Sequence, residues 1–191
     1  MKNGKIMIKN WTRKESQLLQ KTRILDFCEA TDVSPYTEKE HRFVFIDSLK
    51  WVNLVPITDQ NEIVMIRQYR HGSQRVTLEI PGGMVDVGEE PCKAAARECH
   101  EETGYVVNAT YSLGELNPNP ALFNNSLHTF YGHVSGYSPK VHVSETEKTE
   151  VERIAIDRLK PLLLDGTIDH ALVCATLWRF LDRWQLAPSN V

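Results

Sequence analysis

Short apolar stretches separated by polar turns indicate a chain built mainly from β-strands, with a few helices between them. Segments rich in Ile, Leu, Val and Phe predict strands at 22–30, 42–49, 52–58, 63–69, 76–80, 105–116, 126–134 and 151–156. The turn-like residues 59–61 join two of these strands and favour a hairpin. The polar stretch 31–40 predicts a loop inside a separate N-terminal segment.

Three helices are predicted among these strands. Pro91 begins the first helix and Gly104 ends it, the usual positions for proline and glycine. A short helix ends at Gly166, and a last one spans about 170–184. Helical spacing places Cys92, Ala95, Ala96, Cys99 and Thr103 on one side of the first helix, which we expect to pack inward. The last helix carries a stripe that predicts core packing, formed by Val173, Leu177, Phe180, Leu181 and Trp184.

Composition narrows the class of protein. With 191 residues, 41% hydrophobic and 25% charged, the chain fits one globular domain, or one domain with a small appendage. Its 22 Lys+Arg against 25 Asp+Glu give a net charge of -3, so no basic excess attracts nucleic acid or an anionic membrane. The apolar stretch 171–178 is far shorter than the roughly 20 residues of a membrane span. We therefore expect a cytoplasmic protein without nucleic-acid or membrane partners.

An acidic arc on the first helix carries the candidate chemistry. Glu98, Glu101 and Glu102 fall within an arc of roughly 100°. Carboxylates three and four residues apart repel by a few tenths of a kcal/mol per pair, and the C-terminal end of a helix also disfavours negative charge. Arg97 can offset one of these charges. Two interpretations follow: a site for a hard divalent cation such as Mg²⁺, or a solvated acidic face.

A longer motif decides between these interpretations. The chain matches G-x5-E-x7-R-E-U-x-E-E-x-G-U, with Cys99 and Tyr105 at the apolar positions U and with Gly83, Glu89, Arg97, Glu98, Glu101, Glu102 and Gly104 at the fixed positions. A chance match has a frequency on the order of 10⁻⁸ per window. The motif resembles the Nudix box. The resemblance implies an α/β fold, the Nudix α/β/α sandwich with a mixed sheet. We place an N-terminal β-strand appendage at 1–50 and the Nudix domain at 51–191.

The resemblance also implies a reaction. Nudix hydrolases split a nucleoside diphosphate linked to another group, and metal ions neutralise the pyrophosphate oxygens. By position in the box, Glu98 and Glu102 are implied as the principal metal ligands, with Glu101 near them as a catalytic residue. The family also implies the main-chain carbonyl of Gly82 as a ligand. The cofactor is expected to be Mg²⁺, with Mn²⁺ as a substitute. Glu89 and Arg97 are implied as the ion pair that braces the loop against the helix.

Further segments resemble one branch of this family, the ADP-ribose pyrophosphatases and nucleoside diphosphate sugar hydrolases. They are the roughly 50 residues before the core, the stretches 67–70, 78–83 and 117–120, and a proline, Pro120, that lies 16 residues beyond Gly104. The branch implies that Arg70 grips the diphosphate, a task suited to a guanidinium fork. It also implies that Glu79 orients the ribose or the waters on the metal. A simple surface ion pair is the alternative.

A second acidic cluster at 144–150 precedes the last predicted strand and resembles the acidic loop of this branch. The resemblance implies Glu145 as the base that takes a proton from the attacking water, and Glu147 as a further metal ligand. A solvated run of charge is the alternative interpretation.

Together these features predict a magnesium-dependent pyrophosphohydrolase. We expect it to cut a nucleoside diphosphate sugar of the ADP-ribose or GDP-mannose type into a nucleoside monophosphate and a sugar phosphate. One alternative is a Nudix hydrolase that cleans the nucleoside triphosphate pool, against which the N-terminal extension argues. Another is a non-catalytic nucleotide-sugar sensor, against which the complete set of box carboxylates argues. The branch also implies a homodimer formed through the N-terminal strands.

Overall fold

The computed structural model describes residues 7–138 and 148–186, and these fall into two compact units. The first unit lies within Met1–Ser48 and Asn119–Asn125, and the second within Leu49–Pro118 and Ser126–Val191. The division is close to the boundary expected at residue 50. That the two parts are separate domains stays a prediction.

The first unit contains an antiparallel three-stranded sheet in the order β1-β2-β3. Its strands are β1 (Thr12–Lys21), β2 (Leu25–Val33) and β3 (Glu40–Ser48). The sequence pattern missed β1 because this strand is fully exposed and mostly polar. Pairing with β2 compensates for that weak propensity, and Arg13 adds an ion pair to Asp32 across the two strands.

The segment 119–125 joins this sheet from a distant part of the chain. The Ile46 N–H donates to the Leu122 carbonyl at 2.8 Å, and Asn124 Nδ2 donates to Asp47 Oδ1 at 2.7 Å. The local sequence pattern of residues 119–125 does not predict this long-range attachment.

The second unit is built on a mixed seven-stranded sheet. Its strands are β4 (Trp51–Ile57), β5 (Glu62–Arg70), β6 (Arg75–Glu79), β7 (Gly82–Met84), β8 (Tyr105–Leu116), β9 (Leu127–Tyr137) and β10 (Thr149–Ala155). The main order is β10-β5-β4-β9-β8, with β6 beside β5 and β7 beside β4. The expected hairpin between β4 and β5 is confirmed at the turn, where Ile57 pairs with Ile63. Along its whole length, Trp51–Ile57, β4 also pairs in parallel with β9.

Helices cover both faces of this sheet, which confirms the expected α/β/α sandwich. They are α1 (Pro91–Thr103), α2 (Ile156–Leu164) and α3 (Ala171–Leu186). Alternate residues of β4 point to opposite faces: Leu54 packs in the cluster with α1, and Val55 packs in the cluster with α2 and α3. The apolar stripe of α3 packs in the same cluster as Val55, as predicted. Within the described residues, no helix has the length and apolar character of a membrane span.

Candidate active site

Helix α1 presents its small residues to the sheet and its acids to the outside of the core. Pro91 lies in its first turn, and Gly104 ends it in the left-handed conformation at φ 77°. The buried positions are Ala94, Ala95, Cys99 and Thr103. The sequence prediction that Cys92 packs inward is wrong, because this first-turn residue is exposed and Ala94 takes the inward position.

Arg97 gathers three carboxylates around one guanidinium. Its Nε and Nη2 donate to Glu89 at 3.1 and 3.0 Å, and Nη1 donates to Glu98 at 2.9 Å and Glu101 at 3.2 Å. Nη2 also donates to the Met84 carbonyl at 3.1 Å, so the guanidinium ties the loop before α1 to the helix. From the sequence we expected Arg97 to balance the charge of one acid, but its guanidinium contacts three acids.

Glu102 lies apart from this cluster, although it belongs to the same acidic arc. Its Oε2 accepts a hydrogen bond from the Gly82 N–H at 3.0 Å. Burial is the main influence and raises the pKa of Glu102 to about 8; the Gly82 hydrogen bond opposes this rise, and the nearby Glu98 carboxylate adds to it. The ionised form of Glu102 is therefore disfavoured at this position, and a nearby positive charge would stabilise it.

The turn at Gly82 and Gly83 passes too close to its neighbours to carry a side chain. A Cβ on Gly83 would lie 2.4 Å from the Glu98 carboxyl carbon, and a Cβ on Gly82 would lie 2.3 Å from the Val52 carbonyl oxygen. The absence of side chains lets the backbone and the α1 carboxylates meet closely.

Arg70 and Glu79 form a two-pronged ion pair next to Glu102. Arg70 Nε and Nη2 each donate to a different oxygen of Glu79 at 2.7 Å, and Thr77 Oγ1 donates to Glu79 Oε1 at 2.6 Å. Glu79 is 1% exposed. Burial raises its pKa, but the hydrogen bonds from Arg70 and Thr77 outweigh burial and hold the pKa below its usual range.

Electrostatic effects connect these groups into one site. Arg70 lowers the pKa of Glu102, and Glu79 raises it. The structure thus brings Gly82, Arg70, Glu79, Glu98 and Glu102 together. Glu89 and Glu101 contact Arg97, and the predicted acids Glu145 and Glu147 lie outside the described residues.

Thr77 is a residue of this site that the sequence analysis missed. It lies two positions before Glu79 on β6, so both side chains share one face of the strand. That alternation was visible in the sequence. A threonine in a strand is too common a residue, however, to stand out without the structure.

The donor set fits a hard divalent cation. Glu98 and Glu102 supply carboxylate oxygens on either side of the Gly82–Gly83 turn, and such oxygens are the ligands that Mg²⁺ prefers. A cation would also stabilise the charged form of Glu102, whose pKa is raised mainly by burial. Among residues 7–138 and 148–186, no three acid, histidine or cysteine side chains are already arranged as a metal centre. The predicted third acid, Glu147, is beyond those residues.

Comparison with known proteins agrees with this fold and motif. The model of the NUDIX domain family matches residues 49–176, and the chain belongs to the Nudix family. It is 31% identical over 107 residues to an ADP-ribose pyrophosphatase of Bacillus subtilis, covering 56% of this chain and 58% of the relative. It is 34% identical over 120 residues to the ADP compounds hydrolase NudE of Escherichia coli, covering 63% of each. The matches thus span about three fifths of these relatives.

A solved structure extends the likeness to nearly the whole chain. The crystal structure of an ADP compounds hydrolase aligns with a TM-score of 0.81, covering 95% of this chain and 97% of the other, at 20% identity. At that identity, the likeness shows the fold.

Proposed function

We propose that this protein hydrolyses the pyrophosphate bond of a nucleoside diphosphate sugar of the ADP-ribose or GDP-mannose type. The products are a nucleoside monophosphate and a sugar phosphate. One observation carries the proposal: Glu79 holds the Arg70 guanidinium with two hydrogen bonds, and three residues further along the chain the Gly82 N–H holds the Glu102 carboxylate. A cation-binding acid beside an anion-binding fork suits a diphosphate, whose oxygens need both partners. The names of the relatives point to the same substrate class.

Each residue has a distinct role in the proposed reaction. Glu98, Glu102 and the Gly82 carbonyl would hold Mg²⁺, which when bound supplies charge neutralisation and lowers the pKa of water. Arg70 orients the diphosphate, and Glu79 fixes the Arg70 guanidinium through its two hydrogen bonds. We assign proton transfer from the attacking water to Glu145, and a further ligand position to Glu147.

Arg97 and Glu89 have a supporting role in this scheme. Their paired hydrogen bonds hold the loop before α1 against the helix. Glu101 contacts the same guanidinium, so we propose that it tunes the charge near Glu98.

A substrate panel in ¹⁸O-labelled water tests the proposed function. The protein is incubated with Mg²⁺ and with ADP-ribose, GDP-mannose, other nucleoside diphosphate sugars and nucleoside triphosphates. We expect faster hydrolysis of a nucleoside diphosphate sugar than of any triphosphate, with the label in one product phosphate. Preferred release of pyrophosphate from triphosphates would instead show a pool-cleaning enzyme. Tight binding without hydrolysis would show a sensor.

We also propose a cytoplasmic homodimer that associates through the first unit. This unit exposes large apolar side chains, among them Leu18, Leu19, Phe43 and Val44. Apolar patches of this kind commonly mark protein interfaces. Sedimentation of the full chain should give the mass of a dimer, and Phe43→Glu should shift it toward the monomer. A wild-type monomer at micromolar concentration would contradict this assembly.

A further inference from the structure

A buried asparagine lies against the glycine that carries the proposed metal-binding carbonyl. Asn53 is 9% exposed in the otherwise apolar strand β4. It pairs with Gly82 across the β4–β7 ladder, and a Cβ on Gly82 would lie 2.5 Å from Asn53 Oδ1. A buried amide destabilises a core unless its polar atoms find partners, so this asparagine needs an explanation.

A hydrogen bond from Asn53 to Thr176 on α3 fixes the orientation of the Asn53 amide. Thr176 is fully buried, and its hydroxyl donates to the Leu172 carbonyl at 2.8 Å. Since the single proton of that hydroxyl is used, Oγ1 is an acceptor for Asn53 Nδ2 at 3.3 Å. The amide nitrogen therefore faces α3, and the amide oxygen faces Gly82.

Gly82 in turn contacts Glu102 on α1. Its N–H donates to Glu102 Oε2 at 3.0 Å. The carbonyl of the preceding Pro81 accepts a hydrogen bond from the Leu54 N–H at 3.0 Å. A continuous set of contacts therefore runs from α3 through Asn53 and Gly82 to the Glu102 carboxylate.

We propose that Asn53, oriented by Thr176, is a positioning residue that fixes the Gly82 peptide and thereby the Glu102 carboxylate. The proposal rests on the proposed function, in which Gly82 and Glu102 bind the divalent cation. A glycine has wide conformational freedom, and the amide oxygen against its Cα restricts that freedom. Residues that orient metal ligands in this way typically affect metal affinity strongly when they are changed.

The variant Thr176→Val tests this role with little change of shape. It removes the acceptor for Asn53 Nδ2, while the Leu172 carbonyl keeps its hydrogen bond within the helix. Mn²⁺ alone is the probe, and free Mn²⁺ is measured by electron paramagnetic resonance without substrate. We expect about tenfold weaker Mn²⁺ binding. Thr176→Ser keeps the hydroxyl and should bind Mn²⁺ like the wild type.

Thr129→Val is the matched control. Thr129 is also fully buried and pairs with Asn53 across the β4–β9 ladder, but its hydroxyl donates to the Gly114 carbonyl at 2.7 Å, so it controls for a lost hydroxyl beside the amide. The substitution has the same change in volume and polarity. It should lower the melting temperature to a similar degree and leave Mn²⁺ binding unchanged.

Nuclear magnetic resonance reports on Gly82 directly. Pro81–Gly82 is the only Pro-Gly pair in the sequence, so labelling with ¹³C′-proline and ¹⁵N-glycine selects one amide. That resonance should move in Thr176→Val and stay in place in Thr129→Val. Asn53→Ala provides a second variant if Thr176→Val does not fold, since it leaves no unpaired amide donor behind, and it should show the same loss of Mn²⁺ binding.

Wild-type Mn²⁺ affinity together with an unmoved Gly82 resonance in the folded variant would overturn the proposal. Equal weakening by Thr176→Val and Thr129→Val would also overturn it, by showing a general effect of stability. If the wild type binds Mn²⁺ but hydrolyses no nucleoside diphosphate sugar, the proposed function fails while the variants still decide the role of Asn53. A wild type that binds no Mn²⁺ overturns both.

Discussion

The two ends of the acidic arc on helix α1 have opposite electrostatic environments. At one end, Arg97 hydrogen-bonds to Glu89, Glu98 and Glu101. At the other end, Glu102 has a backbone N–H as its hydrogen-bond donor, with Arg70 and two further acids in its surroundings. The Arg97 hydrogen bonds hold the pKa of Glu89 below its usual range, whereas burial raises the pKa of Glu102 to about 8.

This difference separates residues that share one sequence motif. At the Arg97 end, Glu89, Glu98 and Glu101 each already contact a cation, and of these three only Glu98 is also a proposed metal ligand. At the Glu102 end, added positive charge would stabilise the ionised form of the Glu102 carboxylate. The comparison teaches that the same residue type within one motif can serve as a structural brace, as Glu89 does, or as a binding group, as proposed for Glu102.

The largest effect is expected at the predicted acids that should join the Glu102 end. Glu145→Gln should lower kcat by about 10² to 10⁴ with nearly unchanged metal dependence, because it removes the proton acceptor. Glu147→Gln should mainly raise the Mg²⁺ concentration that gives half activity. Steady-state kinetics across a Mg²⁺ series check both. Normal kcat in Glu145→Gln, or the reverse pattern, would move the base to Glu150, Glu101 or the metal-bound water itself.

Removing a carboxylate from the proposed metal set should separate activity from stability. Glu102→Gln and Glu98→Gln should each lower turnover by at least about a hundredfold, because each removes a ligand. For Glu102→Gln, the melting temperature without metal should stay equal or rise, because repulsion is relieved. Turnover and thermal unfolding check the two parts, with the exposed Glu90→Gln as a control for the loss of one acid. Near-normal turnover at limiting Mg²⁺ would contradict the assignment.

At the Arg97 end, the same kind of change should mainly affect stability. Glu89→Gln removes the charge from the hydrogen bonds to Arg97 and should reduce the free energy of unfolding by about 1 kcal/mol. At saturating Mg²⁺, we expect activity to fall less than about tenfold, since Glu89 contacts no proposed ligand of the metal other than through Arg97. Urea unfolding and kinetics check this. A loss of activity as large as that of Glu102→Gln, at unchanged stability, would remove the distinction between the two ends.

A smaller, pH-dependent effect is expected from Glu79. Its pKa is lower in the folded protein than its ordinary value of 4.5, so its ion pair stabilises the fold above that pH. That contribution is lost as the pH falls through the folded-state pKa. The difference in urea midpoint between wild type and Glu79→Gln should therefore be present at neutral pH and shrink below pH 4.5. A difference in urea midpoint that grows as the pH falls would contradict the lowered pKa of Glu79.

The sequence predicts the parts of this molecule that depend on local pattern. Helix α1 was predictable because Pro91 and Gly104 mark its ends, and strands β8 and β10 because their apolar residues cluster. Strand β1 was missed because it is polar, and β7 because two of its three residues are glycines. β1 forms by pairing with the neighbouring β2 and β7 by pairing with the distant β4, and neither pairing is marked by an apolar pattern.

The candidate site shows the same limit. The motif identified every acid of the arc, but the helical wheel places Glu98, Glu101 and Glu102 together and cannot divide them. The division depends on the contacts of Arg97 and of the Gly82 backbone, which come from other segments. Spatial neighbours, rather than spacing, therefore decide which acid hydrogen-bonds to Arg97 and which to the Gly82 backbone.

One measurement tests the central claim most directly: calorimetric titration of Mn²⁺ into the wild type, Glu102→Gln and Glu89→Gln, without substrate. The account predicts that Glu102→Gln weakens binding by at least about tenfold, because the ligand itself is lost, and that Glu89→Gln binds like the wild type. Undiminished binding in Glu102→Gln, or a comparable loss in Glu89→Gln, would contradict the claim that the two ends of the arc have separate tasks.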